Sequence, residues 1–117
     1  IQIMIAKKYT LSGKEKFDEV LKNGEMFQSE SFGLVKFNRG DNDVSRFGFL
    51  VSTKVAKEAF KRNKVKRAMS ESVRFSVSNS VPGYNVVFLA KSRSATKGTD
   101  ELMRETTEAL IKAKLVK

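Results

Sequence analysis

Apolar residues recur along the chain at helical spacing in some segments and at strand spacing in others. The segment LSGKEKFDEVLKNG predicts a first helix, which begins where Ser12 and Glu15 have capping-box spacing. Gly24 is a natural helix stop and predicts the end of this helix. One apolar stripe runs along the predicted helix and consists of Phe17, Val20 and Leu21.

Three later segments are rich in aromatic and β-branched residues and predict strands over 31–37, 45–52 and 84–91. The turn-rich residues 38–43, NRGDND, lie between the first two strands and predict a hairpin that joins them. The last strand is almost continuously apolar, which is typical of a strand that is buried on both faces.

The segment FKRNKVKRAMSESVRF, residues 60–75, predicts a long central helix with two unlike faces. The face that we expect to pack on the sheet consists of Val65, Ala68, Met69, Ser72 and Val73. The opposite, polar face consists of Asn63, Arg67, Ser70 and Arg74, with Lys66 at the border between the two faces.

The segment TDELMRETTEALIKAKLVK predicts a closing helix with Thr99 as its N-cap, an acidic first turn and a basic last turn. Its inner stripe is predicted to consist of Leu102, Ala109, Leu110 and Ala113. The whole pattern is therefore helix, strands, helix, strand and helix, which indicates one mixed domain without repeats.

Composition narrows the chemistry that this domain can perform. The chain has 117 residues, of which 40% are apolar, and it contains no Cys and no His. Disulfides, thiol nucleophiles and the commonest general base at neutral pH are therefore excluded. The longest apolar runs are far below the roughly 20 residues that span a bilayer, and the opening IQIMI is too short for a signal peptide. We expect a soluble, cytoplasmic protein.

Charge is the property of the sequence that indicates a partner most strongly. The chain has 23 Lys and Arg against 13 Asp and Glu, which leave a net charge of +10. From Lys54 to Arg74 the chain carries eight cations and only two acids, Glu58 and Glu71. Glu71 is predicted to pair with Arg67 one turn back, which leaves most of this charge uncompensated. Clustered Lys and Arg favour nucleic acid as the partner, ahead of an anionic membrane surface or a merely solvated face.

The segment RNKVKRAMSESVR, residues 62–74, resembles the signature helix of the protein subunit of bacterial ribonuclease P. That signature reads approximately Arg-Asn-Arg-x-x-Lys-Arg, followed by Arg-Glu and a further Arg. The flanking segments are similar to the same family in the same order, and they are LSGKEKFDEVLKNG, RFGFLVSTKV and NVVFLAK. The resemblance covers residues 8–115.

The resemblance implies an α+β fold, an α/β sandwich with a mixed central sheet and the element order α-β-β-β-α-β-α. It also implies a left-handed β-α-β crossover through the signature helix, as in GHMP kinases and in a ribosomal small-subunit protein domain. Right-handed crossovers are the rule, so this handedness is expected from the family alone. We expect residues 1–117 to form a single domain, with residues 1–7 as a flexible or trimmed end.

The resemblance also implies a function, since ribonuclease P is the endonuclease that removes the 5′ leader of precursor tRNA. In the family the RNA subunit carries the catalytic Mg²⁺ ions, and the protein binds that RNA and guides the leader. We therefore expect ribonuclease P RNA and precursor tRNA as partners, without DNA or membrane. We expect no cofactor, metal or catalytic residue in the chain itself. The acidic segment DND, residues 41–43, lacks the Gly and the distal Glu of a calcium loop and is interpreted as a turn.

The signature assigns roles to individual residues of this chain. Those expected to bind the RNA subunit are Lys54, Arg62, Asn63, Lys64, Lys66, Arg67 and Arg74. Lys64 stands where the family usually has Arg, and it keeps the charge without the bidentate fork that suits phosphate. Ser70 replaces a usual Arg and Thr53 stands where Lys is common, so these two positions lack the family's cation.

The family holds the leader in a cleft between the first helix and the sheet. The resemblance assigns to this cleft Phe17, Leu21, Val35 and Arg46. Phe17 matches one of the family's aromatics, whereas Leu21 sits where a second Phe is common and Val35 where a Tyr occurs. Rings stack on unpaired bases and aliphatic side chains do not, so weaker base stacking is expected here. Simple core packing is the alternative interpretation of Phe17.

Two other classes of function stay open from the residues alone. A ribosomal or RNA-chaperone-type binding module without a cleavage partner shares the basic surface, but it does not require Arg62-Asn63 followed by Lys66-Arg67. A membrane-surface protein needs exposed apolar residues opposite the charge, whereas residues such as Met69 are expected in the core. A self-sufficient nuclease lacks the catalytic groups that it would need.

Overall fold

The structure is a computed structural model that describes residues 5–117. In chain order the helices and strands are α1 Lys14–Asn23, β1 Glu25–Gln28, β2 Phe32–Asn38, β3 Arg46–Leu50, α2 Ala59–Ser76, β4 Tyr84–Ala90 and α3 Thr99–Lys112. This order is the α-β-β-β-α-β-α arrangement that the family resemblance implied, and it is confirmed.

The strands form one mixed sheet in the order β1-β2-β4-β3. β2 is antiparallel to both β1 and β4, whereas β3 and β4 are parallel. The predicted hairpin around residues 38–43 is therefore wrong, because β4 lies between β2 and β3 and separates them. The hairpin instead joins β1 and β2, where Phe27 faces Leu34 across the ladder.

The helices cover both faces of this sheet, and strand alternation divides the core accordingly. Along β4, Val86 and Phe88 point towards α2 and α3, while Val87 points towards α1. The larger cluster, under α2 and α3, includes Phe32, Leu34, Phe47, Met69, Val73, Phe88, Leu102 and Leu110. The smaller cluster, under α1, consists of Leu11, Val20, Val35 and Val87, with Phe17, Phe37 and Leu89 against it.

The parallel neighbours β3 and β4 are joined through α2, so the central helix lies within a β-α-β unit. A mixed sheet with helices packed on it is the α/β sandwich that was expected, and this fold class is confirmed. The left-handedness of the crossover stays an expectation from the family.

The start of α1 differs from the prediction, and its end agrees with it. The N-cap is Gly13, whose φ of 97° lies in the region that favours glycine, and its cap has no side-chain hydrogen bond. The capping box of Ser12 and Glu15 is therefore wrong. Gly24 ends the helix as predicted, and its N–H donates to the Val20 carbonyl at 2.8 Å.

The N-cap of α3 is also displaced by one residue from the prediction. Gly98 is the N-cap and Thr99 is the first helical residue. The Gly98 N–H donates to the carboxylate of Glu101 at 3.4 Å, which closes the start of the helix without help from a Thr hydroxyl. The inner stripe is confirmed, with Ala109 half-buried and three buried residues, Leu102, Leu110 and Ala113.

The chain before α1 packs along the outer edge of β3. The Leu11 N–H donates to the Phe47 carbonyl at 2.9 Å, and Ile5 is buried in the larger cluster. The expected flexible or trimmed end falls partly on residues 1–4, which lie outside the described residues. In the described part of the chain, no helix combines the length and the apolar character needed to cross a bilayer.

Candidate nucleic-acid interface

α2 separates its core and surface residues largely as its periodicity predicts. Five side chains of the predicted packing face are at most 2% exposed, and they are Val65, Ala68, Met69, Ser72 and Val73. Ser70 was predicted on the polar face, but it is fully buried and its Oγ donates to the Arg67 carbonyl at 3.2 Å. α2 contacts β3, α3 and the short 3-10 turn Ser92–Thr96, so its buried arc is wider than one sheet contact requires.

Both carboxylates near α2 are paired with cations one turn away. Glu58 pairs with Lys61 at 3.5 Å. Glu71 accepts two hydrogen bonds from Arg74, from Nε at 2.5 Å and from Nη2 at 3.1 Å, and these bonds lower the pKa of Glu71. The predicted pair of Glu71 with Arg67 is therefore wrong, because Arg74 occupies both oxygens of that carboxylate.

The other cations of this segment keep their charge uncompensated. Within residues 5–117, no carboxylate oxygen lies within 4.0 Å of the charged nitrogens of Lys54, Lys64, Lys66 or Arg67. Lys66 is half-buried, and the other three are exposed. We define the basic face of α2 as Asn63, Lys64, Lys66, Arg67 and Arg74.

Arg62 differs from the residues of the basic face because its guanidinium group also holds the preceding loop. Its Nη1 donates to the carbonyls of Ala56 and Lys57 at 2.8 and 2.7 Å, and the residue is half-buried. Lys54 lies in the same loop, where its carbonyl accepts a bond from the Ser92 hydroxyl at 3.3 Å. The Arg62 bonds fix residues 56–57 against the start of α2, and the Ser92 bond ties the backbone of Lys54 to the 3-10 turn Ser92–Thr96.

The residues assigned to the leader cleft lie on the opposite side of the sheet, under and beside α1. Phe17 is half-buried, and its ring lies on the backbone of β3, since a Cβ added to Gly48 would lie 2.4 Å from its Cζ. Leu21 is 40% exposed. Val35 is only 2% exposed because β2 is an inner strand covered by α1, so its side chain has almost no surface for a ligand.

Arg46 lies at the start of β3 and pairs with Asp43 at 3.0 Å. Arg39 pairs with Asp41 at 2.9 Å in the same loop. Hydrogen bonds from these two arginines lower the pKa of each carboxyl group below its ordinary value. Both carboxylates therefore hold the loop over residues 38–43 in shape, as expected for a turn.

The sequence patterns missed two exposed apolar side chains beside the predicted cleft. Met26 and Leu50 are 47% and 39% exposed. Met26 pairs with Val35 and Leu50 pairs with Leu89, so both lie on the sheet face that α1 covers. Their position follows only from the strand register, which the sequence did not supply.

The sequence patterns also predicted no role for two aromatic residues at the ends of α2. Phe60 and Phe75 are 68% and 65% exposed. Together with Met103 of α3 they line a groove, here called the α2–α3 groove, whose wall includes Lys64 and Arg67. The sequence itself indicates this groove by its helical spacing. The steps from Phe60 to Lys64, Arg67 and Phe75 are four, three and eight residues, which place these side chains on one side of the helix.

A small α/β sandwich with uncompensated cations on one exposed helix face is typical of the class of basic proteins that bind nucleic acid. The family model described as Ribonuclease P matches residues 5–114 of this chain. The chain therefore belongs to the ribonuclease P protein family, and the resemblance seen in its signature helix is confirmed. Membership makes it an RNA-binding component of an endonuclease in tRNA processing.

Individual relatives agree with the family model. The ribonuclease P protein component of Clostridium novyi (strain NT) is 35% identical over 100 residues, which are 85% of this chain and 88% of that relative. The component from Caldanaerobacter subterraneus subsp. tengcongensis is 33% identical over 102 residues, covering 87% and 85% of the two chains. The structure of the Staphylococcus aureus RNase P protein matches with a TM-score of 0.87 at 24% identity, covering 95% of this chain and all of that one. This last likeness shows a shared fold.

Proposed function

We propose that the basic face of α2 binds the RNA subunit of ribonuclease P. The observation that carries this proposal is the set of Lys64, Lys66 and Arg67, which have no carboxylate partner within residues 5–117. They project from a helix whose other side is committed to the core, so the charge is held in place on a rigid element. RNA phosphates are suited to such a surface, because binding releases the counterions that condense on a polyanion.

We also propose that the 5′ leader of precursor tRNA binds beside α1. Phe17 keeps part of its ring exposed while the rest packs on Gly48, and Leu21 and Leu50 extend the apolar surface around it. Arg46 has a side chain that is 28% exposed and can add a phosphate contact at the start of β3. A mixed apolar and cationic surface of this kind suits an unpaired RNA strand.

The cleavage chemistry itself is assigned to the RNA subunit and its Mg²⁺ ions. The chain lacks His and Cys, and Asp41 and Asp43 already bind arginines. Within the described residues, no group of three or more acidic side chains is gathered as metal ligands would be. The protein then contributes binding and orientation, in the bacterial cytoplasm where tRNA matures.

Cleavage of precursor tRNA at low Mg²⁺ tests this proposal. We expect the protein to increase leader removal by the RNA subunit, because its cations offset the repulsion between two polyanions when Mg²⁺ is scarce. The protein without RNA is expected to leave precursor tRNA intact. Leader removal by the pure protein would overturn the assignment of the chemistry to RNA. A folded protein that gives no stimulation would instead indicate an RNA-binding module without a cleavage partner.

A further inference from the structure

The α2–α3 groove is an open pocket of about 550 Å³ beside the basic face of α2. Phe60 lies at one end and Phe75 at the other, and Met103 of α3 forms part of the wall between them. Phe60 and Phe75 are fifteen positions apart along α2, which corresponds to roughly 22 Å of helix. The groove is therefore long enough for several nucleotides of an extended strand.

The two rings are the most exposed of the large apolar side chains in the described part of the chain. Buried aromatic residues such as Phe32 and Phe88 stabilise the core, but side chains exposed to this degree contribute little there. An exposed apolar surface next to concentrated charge indicates a binding surface. Phe60 and Phe75 therefore need an explanation other than folding.

The charges within the groove indicate what its occupant is. Lys64 and Arg67 lie between the rings and have no carboxylate partner within residues 5–117. Glu71 also lines the groove, but Arg74 engages both of its oxygens and neutralises its charge. The Arg74 guanidinium group in turn lies 4.6 Å from the centre of the Phe75 ring. Cations that lie between two flat rings suit a ligand with phosphates and flat bases, whereas an apolar peptide offers nothing to Lys64 and Arg67.

We propose that unpaired nucleotides of the RNA subunit occupy the α2–α3 groove and stack on Phe60 and Phe75, with their phosphates on Lys64 and Arg67. This inference rests on the proposed binding of the RNA subunit and adds a stacking mode to it. Charged contacts alone fix neither register nor orientation firmly, whereas two stacking platforms at a fixed separation select an RNA segment with unpaired bases at matching positions.

Binding of the RNA subunit to Phe60→Leu and Phe75→Leu proteins at several salt concentrations tests this inference. Leucine keeps an apolar side chain and removes the flat ring, so each change is expected to weaken binding by about five-fold or more. Stacking releases few counterions, so the salt dependence is expected to stay as in the unsubstituted protein. Ile111→Ala is the matched control, because Ile111 is 58% exposed on α3 and does not line the groove.

Arg67→Ala in the same series separates this inference from the proposed function. Arg67→Ala is expected to weaken binding and to reduce the salt dependence by about one ion. Leucine variants that bind like the unsubstituted protein, while Arg67→Ala binds weakly, would overturn the stacking inference alone. If none of the three substitutions weakens binding of the RNA subunit, the proposed RNA interface on α2 is overturned as well. Leucine variants that change the oligomeric state rather than RNA affinity would show a protein interface in the groove and overturn the inference.

A fluorescent variant gives an independent measurement of stacking. The chain contains no Trp, so Phe75→Trp introduces a single reporter whose larger ring can still stack. We expect this protein to keep its affinity and its emission to be quenched when the RNA subunit binds. Unquenched emission at saturating RNA would show that no base stacks at this position.

Discussion

At the scale of single residues, position around the turn of α2 decides what each side chain does. Arg67 and Met69 are only two residues apart, yet Arg67 is exposed and Met69 is fully buried. Two residues of an α-helix turn by about 200°, which places neighbouring side chains on opposite sides. Substitutions at these two positions therefore test the surface and the core separately.

We expect Arg67→Ala to weaken binding of the RNA subunit with little loss of stability. Arg67 is exposed, and each good charged contact contributes on the order of 1 kcal/mol or more. Dissociation constants at moderate salt, with melting temperatures alongside, measure the two effects. Arg104→Ala is the control, since Arg104 is exposed on α3 among Glu101, Glu105 and Glu108. Unchanged affinity in a folded Arg67→Ala protein would count against the basic face.

Met69→Ala is expected to do the reverse and to lower the free energy of unfolding by about 2 to 5 kcal/mol. Met69 is fully buried between α2 and the sheet, so its truncation removes apolar contacts and leaves a cavity. Chemical denaturation measures the change. Met26→Ala serves as the matched control because Met26 is 47% exposed, and its effect should stay within about 0.5 kcal/mol. Equal losses for both variants would contradict the burial argument.

At the scale of elements, one carboxylate joins α3 to the β1–β2 hairpin. Glu105 accepts hydrogen bonds from the Ser29 hydroxyl and from the Ser31 N–H, the latter at 2.7 Å. Partial burial raises the pKa of Glu105, but these hydrogen bonds outweigh it, and the pKa lies below its ordinary value of 4.5. The charged form of Glu105 therefore contributes to the stability of the fold.

We expect Glu105→Gln to lower the free energy of unfolding by about 1 kcal/mol at pH 7, because hydrogen bonds to a charged acceptor are lost. A folded pKa below 4.5 means that the stabilisation is complete above that pH and is lost as the pH falls through the folded pKa. The difference between the two proteins should therefore shrink in acid. Denaturation from pH 7 down to about pH 3 measures it, with the exposed Glu108→Gln as control. A difference that does not change with pH would contradict the role of the charge.

At the scale of the whole molecule, the sheet separates two candidate surfaces. The basic face belongs to α2, which packs on one face of the sheet, and Phe17 belongs to α1, which packs on the other. The two proposed RNA contacts therefore lie on separate surfaces and do not compete for one. This separation predicts that substitutions on the two sides affect different RNAs.

We expect Phe17→Ala to weaken binding of precursor tRNA by the assembled holoenzyme and to leave binding of mature tRNA nearly unchanged. Only precursor tRNA has a leader, and one stacked base contributes roughly 1 to 3 kcal/mol, so the loss should be about five-fold or more. Affinities of both tRNA forms, measured with the variant and the unsubstituted protein, decide this.

Phe37→Ala is the matched control, because Phe37 is another half-buried aromatic residue packed against the small cluster under α1. It should lower the melting temperature without distinguishing the two tRNA forms. Equal weakening for both tRNAs by Phe17→Ala, with a large drop in melting temperature, would show that Phe17 serves only the core.

The elements of this protein could be predicted where neighbouring residues alone decide them. The core stripe of α2, the end of α1 at Gly24 and the segments that form β2, β3 and β4 agree with the structure, because each depends on local periodicity or on a local stop signal. The short strand β1 was expected only from the family. Both predicted N-caps are one residue from the observed ones, because the caps are the neighbouring glycines Gly13 and Gly98 rather than Ser12 and Thr99. The partner of Glu71 was also wrong, since two cations lay within one turn and spacing did not choose between them.

The sequence by itself determined the family, the amphipathic helices and the excess of positive charge, because these depend on residue type and on spacing along the chain. Tertiary structure alone decided that β4 inserts between β2 and β3 and that Ser70 and Val35 are buried. It also decided that α3 packs beside α2 and forms a groove between Phe60 and Phe75. These features arise from contacts between segments far apart in sequence. Their free energy depends on which surfaces meet in the folded chain, and no local pattern records that pairing.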